Sequence, residues 1–386
     1  MSKPDQLPRT AEFLESKPIQ PWAKTNHSDP ETYYDPDCLA AEPALADTIT
    51  QQFPTVGDVQ QLFSLRDSAG GNRHYRVVGS QRTVFARCFR PQWSAAALSA
   101  LHDIYRAVAT SDIFFDSPQR GCLVPLRSNN GQDAVGSVGQ LMTLYPHAEE
   151  PNLRHYAGSS LAELASAAER YGRLHVGLQQ LQGLDFKALA NTSDRLVWQP
   201  FDPRLFATVE AAASDNPANP GAVLFRKYRS LIEGALAVIL TVTQPSRPPE
   251  VVHHDFHPHN TFFVGDDCRL IYDYETVSMS KQFPEALAFG LHRFVREVVR
   301  NGVASVEQGK ECFLTGFTQG GGSVPSEIDS HLAALITKPN LHKLLSVLSQ
   351  QLGQQPDLRG RTVKERSSEA HKFLGYLMEA QAFAQH

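Results

Sequence analysis

One short turn constrains this chain more than any other stretch. Val251-Val252 leads into His253-His254-Asp255-Phe256-His257-Pro258-His259-Asn260, and the later apolar run Leu270-Ile271-Tyr272 ends on Asp273, with Glu275 two positions on. Pro258 lacks an N–H and its ring clashes with the preceding helical turn, so neither a continuous helix nor a central strand passes through it. Asp255 and Asn260 therefore share a tight loop, while the run ending on Asp273 reads as a short strand. A base, an amide and a carboxylate on neighbouring strand ends make up the equipment of phosphoryl transfer, in which a protein positions oxygens and neutralises charge. These residues speak to the chemistry and say much less about the acceptor.

With 386 residues the chain is long enough for two domains or one large two-lobed domain with a real apolar core. Charged residues make up 20% and the net charge is −5, which gives no electrostatic case for a nucleic-acid or anionic-membrane partner. Five cysteines (Cys38, Cys88, Cys122, Cys268 and Cys312) without close-pair spacing argue against a disulfide framework or zinc cluster and fit a reducing cytosol. The opening Met-Ser-Lys-Pro-Asp-Gln has no apolar stretch of the signal-peptide kind. The most apolar run, Ala235–Thr243, is too short to span a bilayer and is expected to be a buried helix. The expectation is a soluble cytoplasmic protein; the sequence carries no signal for an oligomeric state.

Residues 1–54, rich in Pro, Asp and Thr, read as an extension, irregular or holding a small added element. Strands are predicted at 72–78 and 82–89, joined by a turn at Gly79-Ser80. Ser94 caps a predicted helix through Leu98, Leu101, Ile104, Tyr105 and Val108, and a strand follows at 138–145, stopped by Pro146. Beyond it the period turns helical, with Leu161 to Leu178, Val223 to Val242, Leu287 to Val298, 327–352 and 362–384 as helices. The fold class expected is α+β: a small antiparallel β-rich lobe at 55–146 and a larger, mostly helical lobe at 147–386 carrying the reactive loop.

The turn at 253–260 resembles the His-Gly-Asp-Leu-His-Pro-Gly-Asn loop of the aminoglycoside phosphotransferase and choline kinase family, whose fold is protein-kinase-like. The resemblance extends over roughly residues 57 to 300. Ser68-Ala-Gly70-Gly71-Asn72 looks like that family's glycine-containing turn, and Arg87 falls where it places a Lys or Arg on its third strand. Gln140–Pro146, with Thr143 and Tyr145, looks like the lobe connector whose backbone bonds adenine, and Gly172-Arg-Leu-His175 like a Leu-His helix end. Ile271-Tyr-Asp273-Tyr-Glu275 resembles the family's Ile-Asp-Phe/Trp-Glu segment. Two positions depart from the pattern: His254 and His259 stand where the family has Gly, which suggests a strained or reshaped loop.

What the resemblance implies is an ATP- and Mg²⁺-dependent kinase of a small hydroxylated molecule. Asp255 is then the base, Asn260 and Asp273 hold the metal with Glu275 as a further ligand, and Gly70, Gly71, Asn72, Arg87, Thr143 and Tyr145 serve the nucleotide. His253 braces the loop, His257 packs beneath it, and His254 and His259 face solvent or substrate. Asp103 is a candidate partner for Arg87, and His175 a core histidine. Each residue has a plainer reading, from an Asx-turn for Asp255 to a strand-surface cation for Arg87; the matched offsets of Asp255, Asn260 and Asp273 favour the functional one. Two other classes stay open: a non-catalytic, nucleotide-binding pseudokinase acting as an interaction module, and a zinc hydrolase built on His253, His254, His257 and His259. From 276 to 386 there are twelve Lys and Arg against ten Asp and Glu, a balance that disfavours a polycationic acceptor. An amino alcohol, amino acid, sugar or natural product fits better, with Glu285, Arg293 and Arg296 as candidate contacts.

Overall fold

In the computed structural model the hairpin expected around Gly79 forms, β2 (Arg73–Gly79) pairing antiparallel with β3 (Thr83–Phe89). The structure describes residues 38–65, 72–110, 123–137, 139–147, 152–181, 183–186, 201–242, 247–357 and 361–383. Alternation along β3 sends Val84, Ala86 and Cys88 to one face and Phe85, Arg87 and Phe89 to the other. With β1 (Val59–Ser64), β4 (Val135–Ser137) and β5 (Gln140–Pro146) they make a five-stranded sheet, order β1-β2-β3-β5-β4, all antiparallel. The single strand expected at 138–145 is thus a hairpin, β4 and β5, turned at Gly139 with φ +74°.

Each face of this sheet is covered. Helix α1 (Pro43–Gln52) seals the Val84 face with Leu45 and Ile49, so residues 38–54 belong to the small lobe's own core. Helix α2 (Ala95–Thr110), its Ala97 amide capped by Ser94 Oγ at 3.1 Å, packs Leu98, Leu101 and Tyr105 on the opposite face. That second cluster runs without a break into the larger lobe, through Tyr145, Tyr274 and Phe256.

The larger lobe is built on α3 (Leu161–Gln180), whose N-cap Ser160 accepts from the Glu163 amide. Beside it lie a two-stranded pair, β7 (Glu250–Val252) with β10 (Ser278–Ser280), and a three-stranded sheet of β6 (Arg154–His155), β8 (Thr261–Val264) and β9 (Asp267–Ile271). Helices α4 (Arg204–Asp215), α5 (Pro220–Lys227), α6 (Arg229–Leu240), α7 (Phe283–Arg300), α8 (Val306–Gln319), α9 (Ser326–Gln351) and α10 (Val363–Ala382) complete it. A Cβ at Gly172 would sit 2.1 Å from the Phe317 carbonyl, and one at Gly316 would sit 2.6 Å from that of Ala165, so α3 and α8 cross where only glycine fits.

Two helical expectations need correction. The helix at 223–242 is two, α5 and α6, parted at Tyr228. Of the run Ala235–Thr243 the described residues, 235–242, are only half buried, since Ala235 and Ile239 face the core while Val238 and Leu240 are exposed at 42% and 61%. An amphipathic face, not a buried rod, is what the apolar composition encodes there. Among the described residues no helix is long and apolar enough to cross a membrane.

Candidate active site

The loop between β7 and β8 folds as its proline requires. His257, extended at φ −153°, caps a single 3-10 turn, Pro258–Asn260, with its Nδ1 accepting from the His259 amide at 3.2 Å. Asn260 fixes the register: its Nδ2 donates to the Asp255 carbonyl at 2.9 Å and its own carbonyl accepts from the Tyr272 amide at 3.0 Å. Asp255, Asn260 and the residue before Asp273 are therefore linked by two hydrogen bonds. With the amide nitrogen committed to Asp255, Oδ1 is the atom of Asn260 left for a hard cation.

The Asp255 carboxylate is a quarter exposed, with His257 Nε2 at 3.5 Å from its Oδ2. Burial pushes its pKa up, yet His257, Lys343 and His253 together outweigh that and hold it well below the usual carboxylate range. His257 thus flanks this carboxylate and does not lie under the loop, where the sequence reading put it. His253 does lie beneath it, buried, taking the Asp255 amide on Nδ1 at 3.2 Å, and burial lowers its pKa to about 4.

His254 is the clearest correction among the histidines. Expected to face solvent or substrate, it is 2% exposed and its Nε2 lies 3.0 Å from Ser278 Oγ, joining the loop to β10. His259 stays half buried, edge-on to His155 and His257. The expected backbone strain is absent: among the described residues only Asn152 and Asp273 are non-glycine positions with positive φ. With the imidazoles turned to separate partners, no group of three or more His, Cys, Asp or Glu side chains is placed to hold a metal among the described residues.

Asp273 adopts the left-handed conformation, φ +65° and ψ +59°, and caps the 3-10 turn Tyr274–Thr276. That backbone costs an aspartate about 1–2 kcal/mol, a strain held by the structure around it. Arg87 reaches across from β3 to ion-pair with Glu275, and its Nη1 is 3.6 Å from Asp273 Oδ1. Burial opposes the Arg87 charge, but the two carboxylates outweigh it and raise its pKa. Glu275 is 3% exposed and so acts here as an anchor for Arg87; its expected place among the metal ligands is at odds with this geometry. Asp103, the other partner considered, is a surface residue paired with Arg106 at 2.8 Å.

The remaining nucleotide candidates divide. Gly70 and Gly71 lie outside the described residues. Asn72 is buried and its Oδ1 accepts from the Arg90 amide at 3.0 Å, bracing β2 against the end of β3. Gln140–Pro146 is not a connector but strand β5, hydrogen-bonded between β3 and β4. Thr143 is buried, 3.3 Å from His102 Nε2, and Tyr145 packs against Tyr105 with ring centroids 5.5 Å apart, so both line the sheet's inner face.

Of the acceptor candidates, Glu285 is buried in a 2.7 Å ion pair with Lys338, and Arg296 is buried on Glu379. Arg293 is also buried but retains a donor without an acceptor, Nη1. Sequence reasoning missed Lys343, whose charge helps hold Asp255 ionised, and Asn340, whose Oδ1 accepts from Arg293, because no motif marks polar residues in a C-terminal helix as partners of residues so much earlier in the chain. His175 is a core histidine as expected, stacked on Phe283 at 3.8 Å.

Several solved structures share this architecture. A spectinomycin phosphotransferase, solved with ADP and spectinomycin, is similar at 11% identity and TM-score 0.56 over 89% of this chain and 99% of that one. An amicoumacin kinase solved with AMP-PNP and Ca²⁺ is similar at 13% identity and TM-score 0.54, over 87% of this chain and 92% of that one. The microcompartment-associated aminopropanol kinase gives 15% identity and TM-score 0.53, over 88% and 98%. At such identities the likeness speaks for the two-lobed, kinase-like fold. Among curated protein sequences none matches this chain. The model of the phosphotransferase enzyme family matches residues 65–281, more than half of the chain, and the protein therefore belongs to that family of small-molecule kinases.

Proposed function

We propose that this protein moves the γ-phosphate of ATP to a hydroxyl of a small metabolite, with Asp255 as the base and Asn260 and Asp273 holding Mg²⁺. The observation that carries this reading is the pair of hydrogen bonds through Asn260, from its Nδ2 to the Asp255 carbonyl and from the Tyr272 amide to its own carbonyl. They tie Asn260 to the backbone of Asp255 and of the residue before Asp273, which supports a shared site for the three side chains. When bound, Mg²⁺ would supply charge neutralisation at the β- and γ-phosphates. Asp255, kept ionised, accepts the acceptor hydroxyl's hydrogen bond and takes its proton as the bond to phosphorus forms. Arg87, steadied by Glu275, presents a fixed cation from the sheet to the nucleotide phosphates.

The acceptor class is an amino alcohol, amino acid, sugar or natural product. The pseudokinase alternative drew on His254 and His259 as signs of decay, and neither residue bears the backbone strain that argument needs. Magnesium-dependent ADP release over a panel of hydroxylated metabolites, with the phosphorylated product identified by mass, tests the proposal. Nucleotide and Mg²⁺ binding without transfer to any member would favour the interaction module.

A further inference from the structure

Two helices bring positive charge to one side of Asp255. On α7, Arg293 is only 8% exposed; its Nη2 donates to Asn340 Oδ1 at 2.9 Å. Its guanidinium lies 3.5 Å from the Tyr376 ring centroid and 4.9 Å from that of Phe289. The other terminal nitrogen, Nη1, is buried without a hydrogen-bond acceptor, and among the described residues no carboxylate forms an ion pair with this arginine. On α9, the Lys343 ammonium sits 5.0 Å from the same Phe289 ring, which His257 meets edge-on at 6.3 Å. Three nitrogen-bearing side chains thus gather round one ring, and His257 ties that group directly to the Asp255 carboxylate.

The contrast with its neighbours makes Arg293 unusual. Arg296, one turn along α7, is neutralised by Glu379 and Glu297. Of the acids nearby, Glu285 pairs with Lys338 and Glu379 with His292 as well as Arg296; Glu379 and Asp255 favour the Arg293 charge without forming an ion pair with it. A buried guanidinium hydrogen-bonded to one amide and lying on two rings, with one terminal nitrogen unpaired, is stabilised by an anion that completes it. The proximity is also felt in the titration: Lys343 helps keep Asp255 ionised, and burial leads the influences that lower the Arg293 pKa. A planar fork with a spare N–H on an aromatic bed suits an incoming carboxylate or phosphate.

We propose that the acceptor carries an anionic group, a carboxylate or a phosphate, which Arg293 and Lys343 hold beside Phe289 while its hydroxyl meets Asp255. This rests on the phosphotransferase reading of the same site, and narrows it from any hydroxylated metabolite to an anionic one.

Matched pairs that differ in one anionic group test it: glycerol against D-glycerate and glycerol 3-phosphate, ethanolamine against L-serine, D-glucose against D-gluconate. Binding to the full chain is measured by calorimetry, and transfer by ADP release with Mg-ATP. Anionic members should bind, or turn over by kcat/KM, about tenfold better than their neutral or cationic partners. Glycerate and glycerol 3-phosphate separate the carboxylate from the phosphate version. Lys343→Gln, at a half-exposed site that tolerates substitution, should shrink the advantage to within about threefold, and Arg293→Met should do the same where it folds. If no member is phosphorylated but an anionic one binds and Lys343→Gln abolishes that binding, the kinase reading falls while the anion site stands. Neutral members binding as well as anionic ones, or an anionic advantage untouched in both variants, overturns the inference.

Discussion

Replacing Glu275 by Gln separates two jobs that a carboxylate in this position can do. If it anchors Arg87, the substitution acts on the protein without ligands, because it strips one counter-charge from a buried cation. Breaking a buried ion pair costs about 3–5 kcal/mol when the surviving charge is left alone. Here Asp273 remains 3.6 Å from Arg87 Nη1, and Gln keeps an oxygen able to accept from the guanidinium, so about 2 kcal/mol is the expected loss. For cooperative units of this size that is a drop in Tm of roughly 4–8 °C, read by differential scanning fluorimetry without nucleotide. A metal ligand behaves in the opposite way. Loss of a carboxylate from the metal's surroundings weakens binding about 10–100-fold, with little effect on the apo protein. Titrating Mg²⁺ into the ADP complex distinguishes the cases: Glu275→Gln should leave the midpoint within about twofold, while Asp273→Ala should abolish metal-dependent nucleotide binding. An unchanged apo Tm together with a tenfold weaker Mg²⁺ midpoint would refute the anchoring argument.

Other perturbations probe the loop. Asp255→Asn should lower turnover by about 10³-fold while leaving ATP affinity, measured by calorimetry, within about twofold; full activity would remove Asp255 from its role as base. His254→Gly restores the family's residue but deletes a buried ring and its contact with Ser278, so stability should fall by about 2–3 kcal/mol in urea titrations with no gain in turnover. A faster enzyme would revive the view that this histidine marks decay. Burial lowers the pKa of His102, His155, His253 and His292 to about 4 from an unfolded value near 6.5. Between those values the unfolded chain binds more protons, so the stabilisation is complete above pH 6.5 and is lost as pH falls towards 4, by up to about 1.4 kcal/mol per histidine per pH unit. A Tm flat from pH 7 to 4.5 would contradict the burial of these rings.

Local chemistry explains which parts of the fold could be read in advance. The β2–β3 hairpin, the Ser94 cap and the long period of α3 are each specified by residues within one element, and each was legible. Helix α1 was obscured because Pro43 and neighbouring acids give its segment the composition of a loop, while its stability comes from Leu45 and Ile49 packing into the cluster under the sheet, beside β1 and β4. The break between α5 and α6 was hidden for the converse reason: Tyr228 is no helix breaker, and the chain turns there so that both halves pack against α9.

The site divides along the same line. Spacing brought Asp255, Asn260 and Asp273 together because a proline turn and a hairpin leave little freedom between them. The partner of Arg87 was misassigned because ion pairs between elements leave no spacing rule. Once Glu275 is seen to supply that partner, the cation on the sheet and the acid at the metal position depend on one short segment, 273–275, and not on α2. That helix contributes packing instead, Tyr105 resting on Tyr145 and, at 4.9 Å between centroids, on Tyr274. Anything that reshapes the Tyr274–Thr276 turn must therefore act on Arg87 and Asp273 together, whereas a shift of α2 leaves the ion pairs of Arg87 in place.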